Sequence, residues 1–414
     1  MAVRWVWILD RRRDLVFYIG SAVAGWLYVA VILAAAARLP APLTEALATL
    51  RLGGVALPLN LELLVVASWA FLLDAPHVWA TLGRTLLDPD EWRIRRREIL
   101  VSFAWFLLGP AAILLPYGAG AFAARLGRPW PPGVLALGAV LFFVFFRLWA
   151  YYHVVRQHWG FVRLYERKAG QPAPRRADVW FFNLAMYLPL LLFMTSASYP
   201  RTPGFPDLGL RRPLLSGWSV GELVHPLLWW TYLAVFVGYL VVLARRTARG
   251  EALNGSKLLL LAAILPLHFA AFSHPLLAVF VVPLVTAGHN LQYHCIVYSY
   301  ARSKYAASSG PRLRWARAVF RSVPVYLAVG LAFTFGFYRG PWIDWLRDAT
   351  GLRLDRVMLD SLGMMAGIRD PAALGLGEQV FAGLIVGFAL QHYYLDAKIW
   401  RVSRDPQVQR HLRV

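Results

Sequence analysis

The chain has 414 residues, 59% of them hydrophobic and only 16% charged. A soluble domain carries about 25% charged residues, so an ordinary soluble protein is excluded and an integral membrane protein indicated. The formal charge of +21 does not signal nucleic acid, because the basic residues alternate with apolar runs instead of building one basic face.

Ten apolar segments follow in order, each long enough to cross a bilayer or nearly so. They are Leu15–Ala37, Val55–Ala80, Ile99–Tyr117, Gly133–Val162, Val179–Ala197, Val224–Ala244, Leu258–Ser273, Pro275–Tyr300, Phe320–Phe337 and Val380–Trp400. The N-terminal arginines before Leu15–Ala37 resemble a signal peptide. The apolar run exceeds a signal h-region, however, and reads as an uncleaved first helix. The seventh segment is short and carries Pro266, which predicts a kink. No soluble-looking block interrupts the series, so residues 1–414 read as one polytopic domain.

Basic residues concentrate in alternate connections, among them Arg11–Arg13, Arg95–Arg97, Arg245–Arg246 and Arg302–Arg321. By the positive-inside rule the expectation is an all-α integral membrane protein of ten helices with both termini cytoplasmic. Only four of the 43 basic residues are lysines, a usage that fits a GC-rich bacterial genome and hence a bacterial inner membrane. The outer connections Tyr199–Gly221 and Arg339–Glu378 are irregular, and the second could hold a short surface helix. The single cysteine, Cys295, excludes an internal disulfide framework and reads as small apolar filler.

Four segments carry histidines near one end: Asp74-Ala-Pro-His77, His153-Val-Val-Arg-Gln-His158, His289-Asn-Leu-Gln-Tyr-His294 and His392-Tyr-Tyr-Leu-Asp396. Counted to the next basic residue, His77, His158, His294 and His392 lie seven, five, eight and six residues from Arg84, Arg163, Arg302 and Lys398. At 1.5 Å rise per residue, six histidines and two aspartates fall at one level on four helices. Ionisable groups inside spans are costly and mark function. Imidazole with carboxylate suits iron, zinc, copper or nickel. His77, His153, His158, His289, His294 and His392 are therefore candidate metal ligands, with Asp74 and Asp396 as ligands or as partners that orient the rings. Six histidines exceed one tetrahedral site and would fit two ions.

Asp74 with His77 (i,i+3) and His392 with Asp396 (i,i+4) share a helix face. The two hexads do not, because i,i+5 places their histidines roughly 140° apart. Either those helices are distorted or each hexad serves more than one centre. Arg156 needs an aspartate or an anionic headgroup as partner. His225, His268 and His274 are set aside by depth, and His225-Pro and His274-Pro read as helix-start residues. Gln157, Asn290, Gln292 and Tyr293 are candidate hydrogen-bonders around the site.

The zinc-protease His-Glu-x-x-His and the hydrolase Gly-x-Ser-x-Gly are absent from the sequence. Haem would use only one or two of the histidines. The four motifs resemble those of uncharacterised multi-pass bacterial histidine-rich membrane proteins. As a class they also resemble the histidine-ligated membrane iron oxygenases: fatty-acyl desaturases and hydroxylases, and Brp/Blh-type carotene dioxygenases. The desaturase boxes His-x-x-x-His and His-x-x-His-His are not present. The resemblance implies two iron ions, or another transition metal, activating O2 against a lipid or isoprenoid chain. No dinucleotide fingerprint occurs in the sequence, so any reductant is expected from an electron-donor protein. A non-enzymatic haem- or metal-binding membrane protein, or a transporter, is the alternative.

Overall fold

A computed structural model describes residues 2–43, 45–52, 55–202, 205, 208–214, 217–306, 311–338, 348–349, 351 and 373–413. It is mostly helical. The principal helices are α1 (Ala22–Arg38), α2 (Ala75–Leu86), α3 (Pro89–Ser102), α4 (Trp105–Arg125), α5 (Leu137–Lys168) and α6 (Arg176–Thr195). They continue with α7 (Val220–Ala248), α8 (Gly255–Ser273), α9 (Val281–Ala306), α10 (Val323–Tyr338) and α11 (Leu376–Ile399). Most of the expected surface helix in Arg339–Glu378 lies outside the described residues.

Among the described residues eight helices are long and apolar enough to cross a membrane, as expected of an all-α membrane protein. Helix α9 is not among them, because its centre carries the polar run His289 to His294. The ninth apolar segment belongs to a pair of helical stretches, Pro311–Val319 and Val323–Gly336, that meet at 87°. The second segment starts differently from expectation. Val55–Leu59 (β3) pairs antiparallel with Ala48–Leu52 (β2), and the helical run begins only afterwards. The signal was Gly53-Gly54 between two β-prone runs, a two-residue hairpin sequence. Pro266 leaves α8 continuous from Gly255 to Ser273.

The chain forms two compact units and passes between them at residues 61/62, 150/151 and 292/293. The first unit comprises residues 1–61 and 151–292. Strand β1 (Val3–Arg4) pairs in parallel with β4 (Leu253–Asn254), and Asn254 then caps α8 through the Lys257 amide. Lys257 is buried and bridges Glu166 at 3.2 Å and Asp178 at 3.0 Å. Asp178 also accepts from Tyr239 Oη at 2.7 Å, and Tyr239 stacks on Phe181 at 3.8 Å. A buried cation with two carboxylates is stable only when all partners are present, so this cluster sets the register of α8 against α5 and α6. Helix α7 starts earlier than its apolar run. Ser219 and Glu222 form a reciprocal capping box, which leaves His225 inside the helix and not at its start. His274 does cap: its Nδ1 accepts from the Leu276 amide at 3.2 Å.

The second unit comprises residues 62–150 and 293–413. Helix α4 crosses α11 closely: a Cβ on Gly109 would lie 2.4 Å from the Gly383 carbonyl oxygen and one on Gly387 2.7 Å from Phe106 Cα. Gly383-Leu-Ile-Val-Gly387 is a small-xxx-small stripe of the kind that lets helices in lipid approach closely. Beyond the histidines, Arg84 is clamped between the rings of Tyr300 (4.1 Å) and Trp400 (3.7 Å) and donates to the Ile399 carbonyl. Lys304 pairs with Asp88 at 2.6 Å, and Arg95 joins Glu91 to Asp405. These contacts tie α2, α3, α9 and α11 together around the residues described next.

Candidate metal centre

Helices α2, α9 and α11 bring His77, Thr81, Tyr293, His392 and Asp396 together in the second unit, all buried. One ligand atom each from His77, His392 and Asp396 lies within 4.8 Å of the others. It is the one such group of His, Cys, Asp or Glu among the described residues. Two ligands on a common ion are at most about 4.1 Å apart at bond lengths near 2.05 Å, so small side-chain rotations would close the group on an ion.

Hydrogen bonds determine which lone pairs face inward. Thr81 Oγ1 donates to Asp396 Oδ1 at 2.8 Å, and Tyr293 Oη donates to the same oxygen at 2.5 Å. With its one proton used, Thr81 accepts from His392 Nδ1–H at 2.7 Å. His392 Nε2 is then the basic nitrogen, and it sits 3.5 Å from Asp396 Oδ2. A bound cation, or a proton shared between them, would satisfy two such groups facing each other in a buried site. The His77 ring lies 4.2 Å from that of His392 and 4.6 Å from that of Tyr293. Two imidazoles and one carboxylate, with positions left open, match the donor set of non-haem iron.

The other predicted ligands separate from this group. His294 comes within 6.4 Å of His77, ring to ring, but Tyr326 holds its Nδ1 at 2.7 Å and the Leu73 backbone takes a further hydrogen bond. These contacts join α9 to its neighbours, and His294 lies outside the ligand group. Asp74 ends a π-helical turn, Ala70–Asp74. It is half-buried and outside the ligand group. Arg156 is exposed and does not enter the histidine groups.

His153, His158 and His289 gather in the first unit. The His289 ring is 5.8 Å from His153 and 6.1 Å from His158. His268, set aside by depth, packs 5.4 Å from His158. Depth misled because it was counted to Arg163, whereas α5 continues to Lys168. Measured from Lys168, His158 is about 15 Å deep, and His268 is about 16.5 Å beyond Lys257; the buried Lys257–Glu166 pair aligns those two starting points. Gln157 Nε2 meets His153 Nε2 at 3.0 Å. The hexad puzzle resolves at α9: His289 belongs to one unit and His294 to the other. Asn290 and Gln292 are buried in the first unit. Thr81, which orients the candidate centre, carries no distinguishing motif and was missed; its i,i+4 spacing from His77 was the available sign. Comparison with protein-family models, curated proteins and solved structures finds no match.

Proposed function

We propose that the protein is an integral-membrane metalloenzyme of a bacterial inner membrane, crossing ten times with both termini cytoplasmic. In this reading iron is held by His77, His392 and Asp396 and acts with O2 on a lipid or isoprenoid chain. The supporting observation is the basic Nε2 of His392 facing Asp396 Oδ2 across 3.5 Å, with His77 completing a two-imidazole, one-carboxylate set. When bound, iron would supply O2 binding and one-electron chemistry that no side chain offers.

The protein's own groups do the rest. Thr81 fixes the His392 tautomer, and Tyr293 and Thr81 hold Asp396 Oδ1 so that Oδ2 points inward. Trp400 Nε1 donates to Tyr293 Oη at 3.3 Å and holds that phenol in place. The surrounding apolar helices exclude water. An apolar groove of about 760 Å³ lies along α4 and α5, lined by Leu108, Pro116, Trp130, Leu141 and Phe145, and its chemistry suits an acyl or isoprenoid chain. Beside Phe145, the Phe146 ring stacks on Tyr393 at 6.2 Å, and Tyr393 meets the His392 ring at 5.6 Å. Reducing equivalents would come from a partner protein.

Metal analysis after anaerobic purification with iron supplied tests the proposal. One iron per chain is expected, together with O2 uptake stimulated by membrane lipid extract and reductant. Less than about half an equivalent of any transition metal would overturn it, since such centres bind tightly at neutral pH.

A further inference from the structure

A pocket of about 190 Å³ opens in the first unit where the ends of α6 and α8 meet the first turns of α7. Helix α6 stops at Thr195, with Ser196 in extended backbone. Helix α8 stops at Ser273, because Pro275 just beyond has no amide to continue its ladder. Helix α7 runs past both from Val220 and brings His225 and Trp229 to the wall. An engineered cavity of about 150 Å³ holds one benzene, so this pocket has room for one substituted six-membered ring.

The walls are part aromatic and part polar. Phe193, Trp229, Phe269 and Phe272 supply ring surface. Ser196 Oγ is buried and has no hydrogen-bond partner, which costs free energy unless a ligand supplies one. That hydroxyl points to an occupant. His274 Nδ1 accepts from the Leu276 amide at 3.2 Å, so its neutral ring carries the proton on Nε2 and offers a second donor. Two further polar groups are already committed. His225 is held by Thr195 Oγ1 at 3.0 Å and by the Leu192 backbone, and Ser273 Oγ donates to the Ala270 carbonyl at 2.8 Å.

The lining selects against charge. Among the described residues no Asp, Glu, Lys or Arg side chain lines the pocket, so an enclosed ion would lack a counter-charge. Arg211 donates to the Thr195 carbonyl at 2.9 Å and is not part of the lining. Two imidazoles without an acid do not make a metal group either. The occupant is therefore neutral, ring-sized and rich in acceptor oxygens. Trp229 also starts a stripe of exposed apolar residues on α7, continuing at i+4 and i+8 with Leu233 and Val237. This stripe offers a track for a chain attached to the ring.

We infer that the pocket binds the head of a lipid-soluble quinone. One carbonyl oxygen accepts from Ser196 Oγ and the other from His274 Nε2. The ring lies against the aromatic walls, and the tail follows Trp229, Leu233 and Val237. The site belongs to the first unit and stands whether or not the second unit holds iron.

The test uses full-length protein in phosphatidylcholine nanodiscs, irradiated with an azido-benzoquinone that carries a short alkyl tail. Mass spectrometry is expected to find the label on peptides containing Ser196 or His274, and excess decylubiquinone should suppress it. Ser196→Ala should raise the Kd of decylubiquinone about two- to tenfold, the worth of one hydrogen bond. Its unfolding temperature should not change, because the hydroxyl bonds nothing within the protein. Ser273→Trp, at an exposed position on the rim, should fill the pocket and abolish saturable labelling. Label confined to other peptides, or wild-type affinity in both variants, would overturn the inference. Labelling displaced by added phosphatidylglycerol but not by decylubiquinone would also overturn it and assign the pocket to a phospholipid headgroup.

Discussion

The two histidine groups are built alike up to one residue. In each, a hydroxyl engages the Nδ1 of an imidazole: Thr81 for His392 and Tyr151 for His268. In each, the opposite Nε2 is buried. What stands beside it differs: a carboxylate oxygen of Asp396 in one, and in the other His158, His289 and Gln292, with no acid among the described residues that line the space. A carboxylate makes the first pocket anionic and suited to a cation, whereas the second has only neutral partners. Histidine count and depth do not distinguish these outcomes; the charge of the third partner does.

The largest effect that can break this comparison is loss of metal. His392→Ala removes one of three ligands and should reduce bound iron from one equivalent to below about 0.1, because removing only a supporting partner already costs 10–100-fold in affinity. His158→Ala with His268→Ala should leave the metal content at one equivalent; a parallel fall would merge the two sites into one system. Next in size is Lys257→Met. It removes the cation between the buried carboxylates of Glu166 and Asp178, leaving them with Arg163 and Arg246 as cations, and should destabilise the fold by up to about 3–5 kcal/mol, read as a lowered unfolding temperature in nanodiscs.

The hydroxyls sharpen the comparison further. Thr81→Val should weaken metal binding about 10–100-fold without unfolding the protein, measured by competition with a chelator of known affinity. Tyr151→Phe should leave metal binding unchanged and cost only about 1 kcal/mol of stability, the net worth of a neutral hydrogen bond. Equal effects of these two variants on metal affinity would refute the distinction between the pockets.

Much of the fold is legible along the chain, because a span needs only length and apolarity and both are local properties. The hexads were recognisable because polar residues interrupt apolar runs. Their assignment to partners was not, since i,i+5 spacing says that two rings diverge and is silent about what each meets. Asp396 falls in the ligand group with His392, four residues before it on the same helix, whereas Asp74, three residues before His77, lies outside it.

His268 shows the same division most clearly. Its residue type and its segment were plain from the sequence, and its depth was misjudged because a helix end was placed at the first arginine. Sequence by itself determined that the chain is an apolar helical protein of the membrane and that histidines interrupt its apolar runs on several helices. Only the tertiary structure decided that they form two groups, and which one has the carboxylate. Ring partners depend on helix register, and that register is set by distant contacts: the Lys257–Glu166 pair in one unit, and the Gly109–Gly383 approach with the Arg84 clamp in the other.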